Sequence, residues 1–268
     1  LDLVFDVVAR PVLLNGDILP ENPRIKELIE KPSQPVDYCI QFLLPQYIEY
    51  GDFKKNIGIF MGETLNLSHH SWISKLNTVN LVLVPNSELK DNAQLNGITK
   101  PVELLPCAVD ISVYNQPRNT LNFPLSGFKF YTISTGIERK NLAALIIAYY
   151  LEFTRNEPVV LIIKTDRDLT ELCNEIKSKM RLYKNNEDYP DILCISHEMS
   201  DNQIQDIHYS CDCYVSASAG EGFCYPGLEA VAYGNSVISS DQGGPRDYLV
   251  NYSNGYLVSG RYEPVLCS

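Results

Sequence analysis

Glu221 and Glu229 bracket the stretch Gly222-Phe223-Cys224-Tyr225-Pro226-Gly227-Leu228, with seven residues between them. A carboxylate accepts several hydrogen bonds at once, which suits the adjacent hydroxyls of a sugar. Pro226 fits the first turn of a helix, because its ring holds φ at a helical value and its missing N–H would have no partner there. A helix entered this way turns free backbone N–H groups and the positive end of its dipole toward the preceding loop, which is the chemistry of an anion site. Ser218 and Gly220 shape the approach to Glu221. Carboxylates for hydroxyls beside amides for phosphate together describe a nucleotide-sugar. The plainer reading is an α/β loop whose glutamates are solvated or cap the helix; the joint agreement of spacing, Pro and Gly speaks against it.

Arg139 and Lys140 precede Asn141-Leu142 at the expected start of another helix. Adjacent cations there oppose the positive end of the helix dipole, and a bound anion would reverse the sign of that interaction. They are the candidates for neutralising a departing nucleoside diphosphate; the plainer reading is two solvated surface cations. Lys164 ends the apolar run Val159–Ile163, at the carboxyl edge where open α/β sheets place ligands. It reads equally as a second phosphate contact or as an ordinary strand-end lysine. His197 and Glu198 follow the next strand end and could lie near a nucleobase, although such residues often only begin a loop. Glu63, Thr64, His69 and His70 follow an earlier strand end, where donor sugar or acceptor would be met; for the paired histidines a loop or helix start is the plainer reading. Asp241-Gln242-Gly243-Gly244-Pro245-Arg246-Asp247 repeats the strand, glycine turn, Pro, helix order and reads as mainly structural.

These positions need strands that end at one edge. Strands are expected at 3–9, 37–43, 56–61, 80–84 and 102–105, with helices at 24–30, 68–76 and 88–95. The aperiodic passage 114–126, with its prolines and asparagines, reads as a linker. Beyond it, strands are expected at 128–134, 159–164, 192–195, 213–216, 236–239 and 255–258. Helices are expected between them at 141–155, 169–183, 201–209, 227–233 and 245–250. Strands alternating with helices at this spacing predict parallel, doubly wound sheets, and the apolar strands predict burial on both faces. The expected domains are 1–124 and 125–268.

A net charge of -11 disfavours nucleic acid or an anionic bilayer as the main partner. The longest apolar run, at 142–153, is too short to span a membrane. The eight cysteines show no metal-ligand spacing and read as reduced thiols, which favours a cytoplasmic location, with peripheral membrane attachment left open. No Gly-x-x-x-x-Gly-Lys-Ser/Thr is present, so a P-loop is excluded.

The run Glu221-Gly222-Phe223-Cys224-Tyr225-Pro226-Gly227-Leu228-Glu229-Ala230, followed by Gly234-Asn235-Ser236-Val237-Ile238, resembles the donor-site signature of retaining GT-B glycosyltransferases. Weaker likeness to mannosyltransferase relatives lies in 56–64, Trp72, 84–87 and 105–110, with Ala108 where that family has Gly. The resemblance implies two Rossmann-like domains, here apparently truncated at both termini. The first would be an incomplete acceptor-side domain and the second the donor domain. It implies transfer of a sugar from a nucleoside-diphosphate sugar (GDP-, UDP- or ADP-linked) to an acceptor hydroxyl of a glycan, lipid or protein, with retention. It further implies that Glu221 holds the sugar hydroxyls and Glu229 the ribose. Gly222, Phe223, Cys224 and Tyr225 would approach the donor, and Arg139 and Lys140 would clamp the diphosphate. No cofactor or metal is expected, because cations and helix N-termini supply the positive charge. A non-catalytic nucleotide-sugar-binding module and a nucleotide-sugar epimerase are the alternatives.

Overall fold

The computed structural model describes residues 7–11, 22–32, 34–67, 71–185 and 188–261. Helix α1 (Pro23–Glu30) precedes a four-stranded sheet of β1 (Tyr38–Phe42), β2 (Lys55–Ile59), β3 (Leu81–Val84) and β4 (Val102–Leu104). These strands lie in sequence order with every neighbouring pair parallel. Helices α2 (Trp72–Leu76), α3 (Ser87–Leu95) and α4 (Ile111–Tyr114) complete this part. Val82 and Val84 of β3 pack with Phe60, Leu67, Leu76, Leu89 and Ala93 in one core. Asn86 starts α3: its backbone is extended and its Oδ1 accepts from Leu89 N–H at 2.7 Å, a cap worth about 1 kcal/mol.

The second sheet has six strands: β5 (Phe128–Ile133), β6 (Val159–Lys164), β7 (Ile192–Ile195), β8 (Cys213–Ser216), β9 (Ser236–Ser240) and β10 (Gly255–Val258). Its helices are α5 (Leu142–Glu152), α6 (Thr170–Met180), α7 (Asp201–Ser210), α8 (Tyr225–Ala232) and α9 (Pro245–Tyr248). Strand β6 shows why the sheet reads as continuous apolar runs. Leu161 and Ile163 face one core with Leu145 and Ile146 of α5 and Ile176 of α6, while Val160 and Ile162 face another with Ile207 of α7 and Ala230 of α8. A parallel sheet covered on both faces has no polar side to alternate with.

The strand order is β10-β9-β8-β5-β6-β7. From β5 the chain adds β6 and β7 on one side, then returns to lay β8, β9 and β10 on the other. The strand order therefore reverses between β5 and β8, and the carboxyl ends of these two strands are where such folds bind ligands.

Several expectations change. Of the strand expected over 3–9, residues 3–6 lie outside the described residues and 7–9 form no strand. The helix expected over 141–155 ends at Glu152, because Thr154 donates its N–H and hydroxyl to Glu157 Oε2 at 2.8 and 2.9 Å and so closes a local turn instead. Within 114–126, Leu121, Phe123 and Leu125 pack on the core that holds β5 and α8, so the stretch is irregular but anchored. The cysteines among the described residues are all free thiols. No helix among the described residues is long and apolar enough to cross a membrane.

Candidate functional site

The loops at the carboxyl ends of β5 and β8 gather the charged residues. After β5 the chain makes a 3-10 turn over Glu138–Lys140 and then places Asn141 in the left-handed region (φ 51°) before α5 begins. After β8 it runs through Ser218–Cys224 into α8. The two loops are tied reciprocally: Ala219 N–H donates to Arg139 O at 2.8 Å, and Arg139 Nη1 donates to Gly220 O at 2.5 Å. Glu221 is 8% exposed. Its Oε1 accepts from Lys140 Nζ at 2.6 Å and from Ser218 Oγ at 2.7 Å, and Arg139 Nη1 lies 3.8 Å from its Oε2. The cations that oppose the helix dipole thus have a counter-charge on the neighbouring loop.

Arg139 also reaches the other sheet. Its Nη2 pairs with Glu63 Oε1 at 2.7 Å. Burial pushes the Glu63 carboxyl above the usual range, a shift that Arg139 opposes and the Glu221 charge reinforces. Such a group costs stability when ionised; the cost is present at neutral pH and is relieved as pH falls through the raised value. For Glu63→Gln the difference in Tm, variant minus native, is therefore expected to be more positive at about pH 7 than at about pH 4.5. Thermal scans across that range check it.

Helix α3 docks its N-terminus on the same loops. The Asn86 amide that caps α3 donates from Nδ2 to Gly222 O at 2.5 Å. Ser87 N–H donates to Asp247 Oδ2 at 2.8 Å, and the Ser87 hydroxyl bonds the other oxygen of that carboxylate. Glu88 accepts from Gly243 N–H at 2.6 Å and pairs with Arg246 at 2.8 Å. Two glycines let these backbones meet. A Cβ on Gly220 would stand 2.4 Å from Glu63 O, and one on Gly243 would stand 1.8 Å from Glu221 O. Gly243 also has φ +59°. Gly243→Ala is expected to destabilise by more than the roughly 1–2 kcal/mol of a left-handed side-chain residue, since the Glu221 loop must move as well. Denaturant unfolding measures the loss.

The rest of the loop is packed rather than solvated. Phe223 is buried with its ring 5.7 Å from those of Tyr225 and Tyr248. Cys224 enters α8 in the left-handed region (φ 64°), and burial pushes its thiol up. Tyr225 lines a cavity of about 200 Å³ with Phe42, Ile59, Met61, Pro85, Leu105, Pro106 and Cys107.

Of the residues singled out in the sequence, Glu221, Arg139, Lys140 and Ser218 form one bonded cluster, with Gly222 tied to Asn86 beside it. Glu229 is held elsewhere on α8, between Gln205 Nε2 at 3.3 Å and His208 Nε2 at 3.4 Å. Lys164 donates to the Thr165 carbonyl at 2.9 Å, and His197 is exposed after β7; neither forms an ion pair with a described residue. Glu63 joins the cluster, Thr64 is exposed, and His69 and His70 lie outside the described residues. The 241–247 turn does more than border the site: Gly243, Arg246 and Asp247 fasten it to α3. Among the described residues no group of three or more His, Cys, Asp or Glu side chains is placed to share a metal ion.

Comparison with known proteins gives the fold and the family. A solved variant of TarM from S. aureus, in complex with fondaparinux, α-GlcNAc-glycerol and UDP, is 17% identical over 76% of this chain and 41% of its own, with a TM-score of 0.59. HepE from Anabaena, in complex with UDP and glucose, is 16% identical over 76% of this chain and 58% of its own, with a TM-score of 0.58. A UDP-forming α,α-trehalose-phosphate synthase from Burkholderia xenovorans, in complex with glucose-6-phosphate, is 11% identical over 76% of this chain and 57% of its own, with a TM-score of 0.57. This chain spans between 41% and 58% of the length of these structures, and at such identities the likeness is one of fold, the GT-B arrangement of parallel sheets. No curated protein matches the chain. A family model described as glycosyl transferases group 1 matches residues 117–264, more than half of the chain, and the chain therefore belongs to the group 1 glycosyltransferases.

Proposed function

We propose that this chain transfers a sugar from a nucleoside-diphosphate sugar to an acceptor hydroxyl, with retention at the anomeric carbon. The observation that carries the reading is the buried Glu221 carboxylate clasped by Lys140, Arg139 and Ser218 at the carboxyl ends of β5 and β8. Within the reading, Glu221 takes sugar hydroxyls, while Arg139 and Lys140 turn to the diphosphate. Gly222, Phe223, Cys224 and Tyr225 wall the donor, and Glu229 takes the ribose. The acceptor oxygen bonds to the anomeric carbon as the bond from that carbon to the diphosphate oxygen breaks. The acceptor's proton passes to the departing phosphate, and the cations carry the charge that develops there. Positive charge comes from side chains, so activity is expected to persist in a metal chelator. The sequence-based boundary between acceptor and donor domains, after residue 124, belongs to the same proposal.

A thermal-shift screen of UDP-, GDP- and ADP-sugars tests the donor, since a ligand at a hundredfold its Kd stabilises by about 2.7 kcal/mol. Product analysis with simple glycosides as acceptors then tests transfer and anomeric configuration. Stabilisation by one donor class, followed by a retained glycosidic product, supports the proposal. Binding without transfer in the presence of acceptor would reduce the chain to a binding module. The absence of any nucleotide-sugar binding would overturn the reading entirely.

A further inference from the structure

Apart from the Glu221 cluster, the core between β5, α7 and α8 holds a polar chain that the transfer chemistry does not use. His208 on α7 is fully buried, as is Tyr131 on β5. The order of protons along this chain follows from its partners. The Asn235 side chain faces the His208 carbonyl at 2.7 Å, and a carbonyl only accepts, so the atom facing it is the amide nitrogen. That same Nδ2 donates to the Tyr131 hydroxyl at 2.9 Å. The Tyr131 oxygen thereby receives a hydrogen bond, and its own proton goes to His208 Nδ1, 2.8 Å away. With Nδ1 an acceptor, the neutral imidazole carries its proton on Nε2. Nε2 is buried and makes no hydrogen bond; Glu229 Oε2 lies 3.4 Å from it. Tyr233 stacks on the imidazole at 8° and 5.7 Å and holds its plane. The other Glu229 oxygen, Oε1, receives Gln205 Nε2 at 3.3 Å.

We propose that His208 is a positioning residue for the donor: the Asn235–Tyr131–His208 chain keeps a proton on the unpartnered Nε2, 3.4 Å from Glu229, and that proton, with Gln205, closes on the carboxylate when the ribose diol binds. The inference rests on the reading of Glu229 as the ribose ligand. A carboxylate offers about four acceptor positions; the two inner contacts leave the outer pair for adjacent hydroxyls. The Glu229 side chain is 23% exposed, so its outer edge is open to a ligand.

The test pairs a change in the protein with a change in the ligand. The probes are UDP, GDP or ADP, whichever the thermal screen selects, and the 2′,3′-dideoxy form of the same nucleotide, with Kd read by calorimetry. In His208→Asn no donor reaches Glu229, whereas in His208→Gln an amide N–H takes the place of Nε2–H. His208→Asn is expected to weaken the nucleotide about tenfold, the value of one such bond. It should leave the dideoxy analogue within about twofold, and His208→Gln should restore most of the loss. Tyr131→Phe, which keeps the ring and frees the imidazole to change tautomer, is expected to give a smaller loss with the same selectivity. It serves if His208→Asn does not fold. Equal weakening of both probes by His208→Asn or by Tyr131→Phe would make the role structural and overturn the proposal. Glu229→Ala separates the two levels. If it abolishes discrimination between the probes while His208→Asn retains it, only the positioning role falls. If the native chain binds none of the three nucleotides, or does not discriminate between the probes, the ribose reading falls and the proposal with it.

Discussion

Glu221→Gln is expected to bind a nucleoside diphosphate about tenfold more tightly than the native chain while transferring sugar roughly 10²–10³-fold more slowly. The opposed directions follow from what the carboxylate touches. With 7% of its side chain exposed, it sits 2.6 Å from the Lys140 ammonium and 3.8 Å from the Arg139 guanidinium. It therefore competes with any phosphate for those cations. At an effective dielectric constant of about 20, a unit charge 4 Å away contributes about 4 kcal/mol. A tenfold gain in affinity asks for only about 1.4 kcal/mol of that. The loss has a separate origin: hydrogen bonds to a charged acceptor are worth about 1.5–3 kcal/mol each, and an amide in place of the carboxylate weakens those to the sugar. Glutamine also leaves Lys140 without its inner counter-charge, so Tm is expected to fall and bound nucleotide to restore it. Calorimetry and product assays on one preparation decide the matter. Weaker nucleotide binding in Glu221→Gln would mean that the carboxylate holds the cations in place for phosphate and does not compete with it.

The cluster was legible in the sequence to the extent that it lies on two loops. Glu221 and Ser218 follow one apolar strand, Arg139 and Lys140 follow another, and each stretch carries its own Gly or Pro punctuation. Their meeting depends on β8 pairing with β5, which no local pattern encodes. Partners from the first sheet were less visible. Asn86 caps α3 through its Oδ1, yet its amide nitrogen also bonds Gly222 O, 136 positions away. Glu63 follows an apolar strand and a glycine, the signal of a carboxyl-edge residue, but only the docking of the sheets gives it Arg139. His208 offered a signal that was missed. It stands four positions after Ile204 and one after the fully buried Ile207, on the inward stripe of α7, where an ionisable ring needs partners. Leu121, Phe123 and Leu125 alternate as an extended chain does, and the surrounding Pro and Asn residues obscured it.

Replacing both cations, Arg139→Ala with Lys140→Ala, is expected to weaken nucleoside diphosphate binding by at least about 10²-fold, as two charge-assisted contacts of about 1.5–3 kcal/mol require. Transfer should fall further than binding, because the charge on the leaving diphosphate grows toward the transition state. The loss should therefore show in kcat as well as in KM. The double change also leaves Glu221, 8% exposed, with Ser218 as its remaining partner in the cluster. An uncompensated buried carboxylate destabilises, so a fall in Tm alone would be ambiguous. Adding Glu221→Gln to the double variant resolves this. Neutralising the stranded carboxylate should recover stability and leave nucleotide binding as weak as in the double variant. Arg139→Lys with Lys140 intact isolates the remaining contribution: a point charge is kept, but not the planar fork that here reaches Glu63 and Gly220 O together. Its loss should be intermediate. If the neutralised triple variant regains native nucleotide affinity along with its stability, the diphosphate is held by the amides at the start of α8 and the two cations serve only to balance Glu221.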